Sequence, residues 1–161
     1  MGSRSSTKIE KAYIAGFLDG DGSVMLQIKK RHDSTRSFRF MATICFYQDT
    51  RHEKELLWIK RVLKVGYLSR RNDGMSELRI NGYQQVHDIL LSLQPSVRFK
   101  RVQVAALIRA CDILLSTSVK KLTERQLRTL VNLIIKIQNE NYVTKKKRSK
   151  EELYVVLGLT P

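Results

Sequence analysis

The stretch Tyr13-Ile-Ala-Gly-Phe-Leu-Asp-Gly-Asp-Gly-Ser23 constrains this chain more than any other part of it. Thr7 followed by Glu10 makes a T-x-x-E capping box, and Ile9, Tyr13, Ile14, Phe17 and Leu18 follow at helical spacing. The pattern predicts a helix that Asp19-Gly-Asp-Gly22 breaks through the positive φ that glycine permits. Gly16 and Gly20 stand one turn apart, with Ala12 in line on the same face. A ridge without side chains lets a second helix backbone come close. Asp21 then projects just beyond the helix, beside whatever docks on the ridge. A lone carboxylate at a tight helix pair makes chemical sense when a twin chain delivers another.

Length and charge narrow the partners. A chain of 161 residues can bury one good core and is short for two domains. Residues 1–6 read as a flexible leader, and 7–161 as a single domain with no linker and no repeat. Lys plus Arg number 30 against 15 Asp plus Glu, a net charge of +15 that suits a polyanion, most simply nucleic acid. Ribosomal and membrane-surface proteins are also basic, so charge alone does not choose. No apolar run is long enough to span a bilayer, and the N-terminus has no apolar signal core, which implies an intracellular protein without a membrane partner. Cys45 and Cys111 fall in apolar periodic segments and read as reduced thiols. His32, His52 and His87 are widely spaced and no cysteines are paired, which excludes a zinc site.

Along the chain, Val24, Leu26 and Ile28 alternate with Met25, Gln27 and Lys29, a half-buried strand. Lys30 to Ser37 is a polar loop, and Phe38 to Tyr47 alternates again, with Phe38, Phe40, Ala42, Ile44 and Phe46 on the core side. A helix capped by Asp49 or Thr50 runs to about Val65 and stops at Gly66. Tyr67–Arg71 and Ser76–Ile80 form a hairpin around Asn72-Asp-Gly74. Tyr83 to Leu93 is a helix stopped by Pro95. Three more helices follow: Lys100–Ser116, one opening with a Thr123/Gln126 capping box, and a short one from Ser149 after the charge run Thr144–Arg148. The order αββαββα predicts an α+β fold: a four-stranded antiparallel sheet, helices on one face, and extra C-terminal helices.

The other face is then open. Its side chains include Met25, Gln27, Lys29, Arg39, Met41, Thr43, Ser69, Arg71, Glu77 and Arg79. Arg and Lys match guanine, Gln adenine, Glu cytosine, and Met or Thr methyls thymine, so this is a base-reading vocabulary. Lys145, Lys146, Lys147 and Arg148 suit phosphate contacts.

The Tyr13–Ser23 stretch resembles the motif of the LAGLIDADG homing endonucleases, and the likeness runs from about Ser6 to near Lys150. The motif occurs once, as in the single-motif subfamily, whose members act as homodimers on double-stranded DNA. The resemblance implies an intron-encoded, site-specific DNA endonuclease with two saddle-shaped sheets on a long pseudo-palindromic site. The dimer would pack through Ala12, Tyr13, Gly16 and Gly20. It also implies Mg²⁺, with Mn²⁺ able to substitute, bound by Asp21 and the backbone carbonyl of Gly20. Asp19 is then structural, Gln48 orders the attacking water, and Lys100, after Gln94-Pro95, offsets phosphate charge. Relatives often place Arg four residues after that Gln; here His52 stands there with Arg51 beside it, and either can fill the basic pocket. No small-molecule cofactor is implied. The alternative on the same fold is a non-cleaving intron maturase or DNA-binding regulator. Organelle and prokaryotic settings stay open.

Overall fold

The computed structural model describes residues 6–31, 38–142 and 145–160. Most of the proposed leader, most of the polar loop with His32, and Thr144 of the charge run lie outside the described residues. Helix α1 (Lys8–Asp21) opens on the expected capping box: Glu10 N–H donates to Thr7 Oγ1 at 3.1 Å and Thr7 N–H to the Glu10 carboxylate at 2.7 Å. Its end differs from the expectation. The helix runs through Gly20 to Asp21, and Gly22, at φ −115°, is extended and already the first residue of β1 (Gly22–Lys30). Glycine is needed at 22 for space and not for a positive φ. A Cβ there would stand 2.8 Å from both the Cα and the carbonyl oxygen of Leu18. The helix therefore turns into the strand without a loop.

Strand β2 (Phe38–Asp49) lies antiparallel to β1, and β3 (Tyr67–Arg70) and β4 (Met75–Asn81) form the hairpin. The sheet order is β1-β2-β4-β3, with β4 inserted beside β2. Val24 faces Ile44, which faces Ile80 on its other side. That row, with Leu26, Ile28, Phe40, Ala42, Phe46 and Leu78, forms the buried side of the sheet, as the alternation predicts. β3 is one residue shorter than expected. Arg71 belongs to the turn, where it pairs with Asp73 at 2.9 Å, and Gly74 takes the positive φ of 79°.

The helix expected from Asp49 to Val65 is divided. The Asp49 carboxylate accepts the Arg51 N–H, which tightens Thr50–His52 into a 3₁₀ turn before α2 (Glu53–Leu63). Lys64, at φ 60°, ends α2 in the left-handed conformation two residues ahead of the expected stop. Helices α3 (Tyr83–Leu93), α4 (Arg101–Ser116), α5 (Glu124–Glu140) and α6 (Lys150–Leu157) follow. α5 has its Thr123/Gln126 capping box. Helices α1 to α5 pack on the sheet, α4 and α5 against β1 and the others against β2. The buried apolar residues make one continuous cluster that includes Leu153 and Leu157 of α6. Cys45 and Cys111 are buried and unpaired. No helix among the described residues is long and apolar enough to cross a membrane.

Candidate active site and nucleic-acid interface

The junction of α1 and β1 is built around Asp19, which is buried. Its carboxylate accepts the backbone N–H groups of Arg98 at 2.7 Å and Lys100 at 3.0 Å. The Lys100 ammonium returns the tie, donating to the Asp19 carbonyl at 2.6 Å. These three hydrogen bonds between distant segments give Asp19 a structural part, and they bring Lys100 to the end of α1. Burial pulls the Lys100 pKa down from the ordinary lysine value, against the opposing charges of Asp19 and Asp21. Asp21, the last residue of α1, is exposed, as is Gly20 before it. Gln48 sits two residues past Phe46, the partner of Gly22, so it lies at the same end of the sheet as Asp21. Its side-chain oxygen accepts the Asp49 N–H at 2.9 Å.

The two candidates for the basic pocket are arranged differently. Arg51 closes on Asp49 through Nε and Nη2, each at 3.0 Å, and holds that carboxyl down at a pKa of about 2. His52 stands at the N-terminal boundary of α2, exposed and near enough for its charge to act on Asp49. Asp21 supplies one carboxylate, and the described residues contain no group of three or more His, Cys, Asp or Glu side chains that could hold a metal ion.

The glycine ridge is open. A Cβ added at Gly16 or Gly20 meets nothing within 4 Å. Ala12 is exposed beside them, and on the same helix Ile9 is 82% and Tyr13 62% exposed. The Tyr13 ring stands edge-on to Trp58 of α2, with centroids 5.5 Å apart. Trp58 extends this apolar surface, and sequence periodicity did not single it out.

On the open sheet face, register sets cross-strand rows. Lys29 lies opposite Arg39, Gln27 opposite Met41, and Met25 opposite Thr43. Gln27, Lys29 and Arg39 are exposed, while Met25, Met41 and Ser69 are half-buried. Three expected readers are engaged by neighbouring side chains. Thr43 is 1% exposed and donates its hydroxyl to Asn81 Oδ1 at 2.8 Å. Glu77 is buried and accepts from Arg79 Nε at 2.7 Å, so it orients Arg79 and is not presented to a base. Arg71 is outside the strand and held to Asp73. Asn81 and Ser23, whose hydroxyl lies 3.1 Å from that of Tyr47, also belong to this face. Extending the period-two pattern by one step past Arg79 and before Met25 finds both. Lys145, Lys146, Lys147 and Arg148 are all exposed, and Arg148 also reaches back to β1 through Nη1.

A four-stranded antiparallel sheet with one face basic and open, joined without a loop to a helix that ends in an exposed carboxylate, is the LAGLIDADG fold. The chain belongs to the LAGLIDADG endonuclease family, whose model matches residues 14–95. Among curated proteins, it is 31% identical over 102 residues to the DNA endonuclease I-CvuI of Chlorella vulgaris. It is 28% identical over 100 residues to the DNA endonuclease I-CreI of Chlamydomonas reinhardtii. These matches cover 63% and 62% of this chain and span 63% and 61% of the relatives' lengths. The solved structure of I-CvuI on a DNA target with magnesium superposes with a TM-score of 0.82 at 26% identity, covering 94% of both chains. I-CvuI was also solved on its own target with calcium. The archaeal intron-encoded I-Vdi141I shares the fold, with a TM-score of 0.78 at 17% identity.

Proposed function

We propose that this protein is a homodimeric, site-specific, double-strand DNA endonuclease that hydrolyses phosphodiesters with divalent metal. The observation that carries this reading is the exposed Asp21 at the end of an open glycine ridge, with the Lys100 ammonium drawn to the same place by Asp19. Two chains docked along Gly16 and Gly20 would set two Asp21 carboxylates side by side. Asp21 and the Gly20 carbonyl would hold Mg²⁺, or Mn²⁺ in its place; the bound ion supplies charge neutralisation at the phosphate and lowers the pKa of water. Lys100 would offset charge that builds on the scissile phosphate. Its fixed Nζ costs no reorganisation at that moment. Gln48 would orient water from the far end of β2, with His52 or Arg51 as the second cation; Arg51 must first leave Asp49.

Two sheets related by a dyad make a long surface that reads a pseudo-palindromic duplex in the major groove. Gln27, Lys29, Arg39 and Arg79 are the base readers, with Met25, Met41 and Ser69 between them. Lys145, Lys146 and Lys147 contact phosphates on the flank. This activity places the protein inside a cell, in the compartment holding its target DNA. The test is a cleavage screen of the purified chain against a randomised duplex library, in Mg²⁺ and in EDTA. Recovery of one pseudo-palindromic family cut on both strands only with metal supports the reading. Selective binding without cutting would instead indicate a DNA-binding regulator, and selective binding of intron RNA a maturase.

A further inference from the structure

Among the described residues β1 is an edge strand, so its outer backbone groups have no strand to pair with there. Two side chains from the C-terminal part cover them. Asn141 donates to the Val24 carbonyl at 3.1 Å, and Arg148 Nη1 donates to the Ile28 carbonyl at 3.1 Å. Each is itself held from behind. Gln103, buried on α4, donates to Asn141 Oδ1 at 3.3 Å. Gln138 of α5 exchanges two hydrogen bonds with the Arg148 backbone, both at 3.2 Å. Between these two fastenings lie Lys145, Lys146 and Lys147, all exposed. A cleft of about 210 Å³ lies between β1 and α5, with Gln27, Lys29, Lys146 and Arg148 on its walls.

We propose that Arg148 is a positioning residue for DNA binding. Its guanidinium is engaged by the β1 edge, and it holds the three lysines in register with the outward-facing side chains of β1. Flank phosphates and the bases under Gln27 and Lys29 are then met by one rigid unit, so the long lysine side chains start from a fixed backbone when they order on DNA. This inference rests on the DNA-binding reading above. It replaces the sequence expectation that Arg148 is itself a phosphate contact.

The experiment measures duplex affinity against salt for the full chain, Arg148→Ala and Lys146→Ala, with amide exchange of residues 145–149 recorded without DNA. Each phosphate contact contributes about 0.9 to the slope of log affinity against log salt, or about 3.5-fold between 50 and 200 mM. Lys146→Ala supplies that yardstick per protomer. Arg148→Ala is expected to lower the slope by about two or more per protomer, and to speed exchange before any DNA is added. Asn141→Ala, loosening the other end, should change both readouts in the same direction. A slope change no larger than that of Lys146→Ala overturns the proposal and leaves Arg148 an ordinary contact. Faster exchange with an unchanged slope also overturns it, since the tie is then structural only. A wild-type chain without salt-dependent duplex affinity sinks the DNA-binding reading itself. Intact wild-type binding with a wild-type-like Arg148→Ala sinks this inference alone.

Discussion

Gly16→Ala separates a lone helix from a docked one by the sign of its effect. In a single chain the new methyl meets nothing within 4 Å. A mid-helix glycine replaced by alanine in that setting gains about 0.8–1 kcal/mol of helix propensity. For a chain of 161 residues that raises Tm by about 2–4 °C. A twin helix on the ridge opposes that gain and reverses the sign once the contact costs more than about 1 kcal/mol per methyl. Each methyl then enters a close-packed contact, at about 1–3 kcal/mol, and the dimer carries two. The summed cost of about 2–6 kcal/mol weakens association by about thirty-fold at its lower bound. Sedimentation equilibrium over a dilution series reads the dissociation constant, and thermal melts at high and low concentration read the two signs. Expected are a lower Tm for the variant where the wild type is dimeric and a higher one where both are monomeric. A variant that dimerises like wild type and melts higher at every concentration refutes the ridge as the interface.

Asp21→Asn is nearly isosteric and should preserve fold, dimer and DNA binding while cutting both strands about 10²-fold more slowly or worse; cleavage at the wild-type rate in Mg²⁺ refutes its role. Arg79→Ala should relax preference at particular base pairs by about 1–3 kcal/mol in a binding screen. Glu77→Gln should shift preference at those same pairs, because Glu77 acts through Arg79; an effect elsewhere would make it a reader in its own right. Gly22→Ala drives a methyl onto the Leu18 backbone and should cost about 1–3 kcal/mol in urea unfolding. His87 lies between Asp88 at 3.1 Å and Asp112 at 2.9 Å, and the hydrogen bond to Asp88, helped by the Asp112 charge, raises its pKa against the pull of burial. The stabilisation is therefore complete below the unfolded value of about 6.5 and is lost as pH rises through the higher folded pKa. Melting curves across that window should fall for wild type and flatten for His87→Gln.

Local rules in the chain were enough for most of the architecture. The Thr7/Glu10 and Thr123/Gln126 boxes start their helices where expected, and alternation assigns the right face to Val24, Phe40, Ile44 and Ile80. These signals work because capping and side-chain periodicity depend on residues a few places apart. The end of α1 departs from these local rules for the same reason. Glycine suggests a positive φ, whereas Gly22 meets its constraint in the Leu18 backbone, a contact visible only once the strand leaves the helix.

The amino-acid sequence by itself determined the order of helices and strands, the glycine ridge, the acid at its end, and which strand side chains face away from the core. Tertiary structure alone decided which of those side chains are available. Thr43 turns to Asn81, 38 residues away in sequence, because register puts β4 beside β2. Lys100 is tied to Asp19 across a separation of 81 residues, and Trp58 meets Tyr13 from another helix. A hydrogen bond or ring contact needs its partner within a few ångströms, and spacing along a chain carries no record of which distant residue folding will bring there.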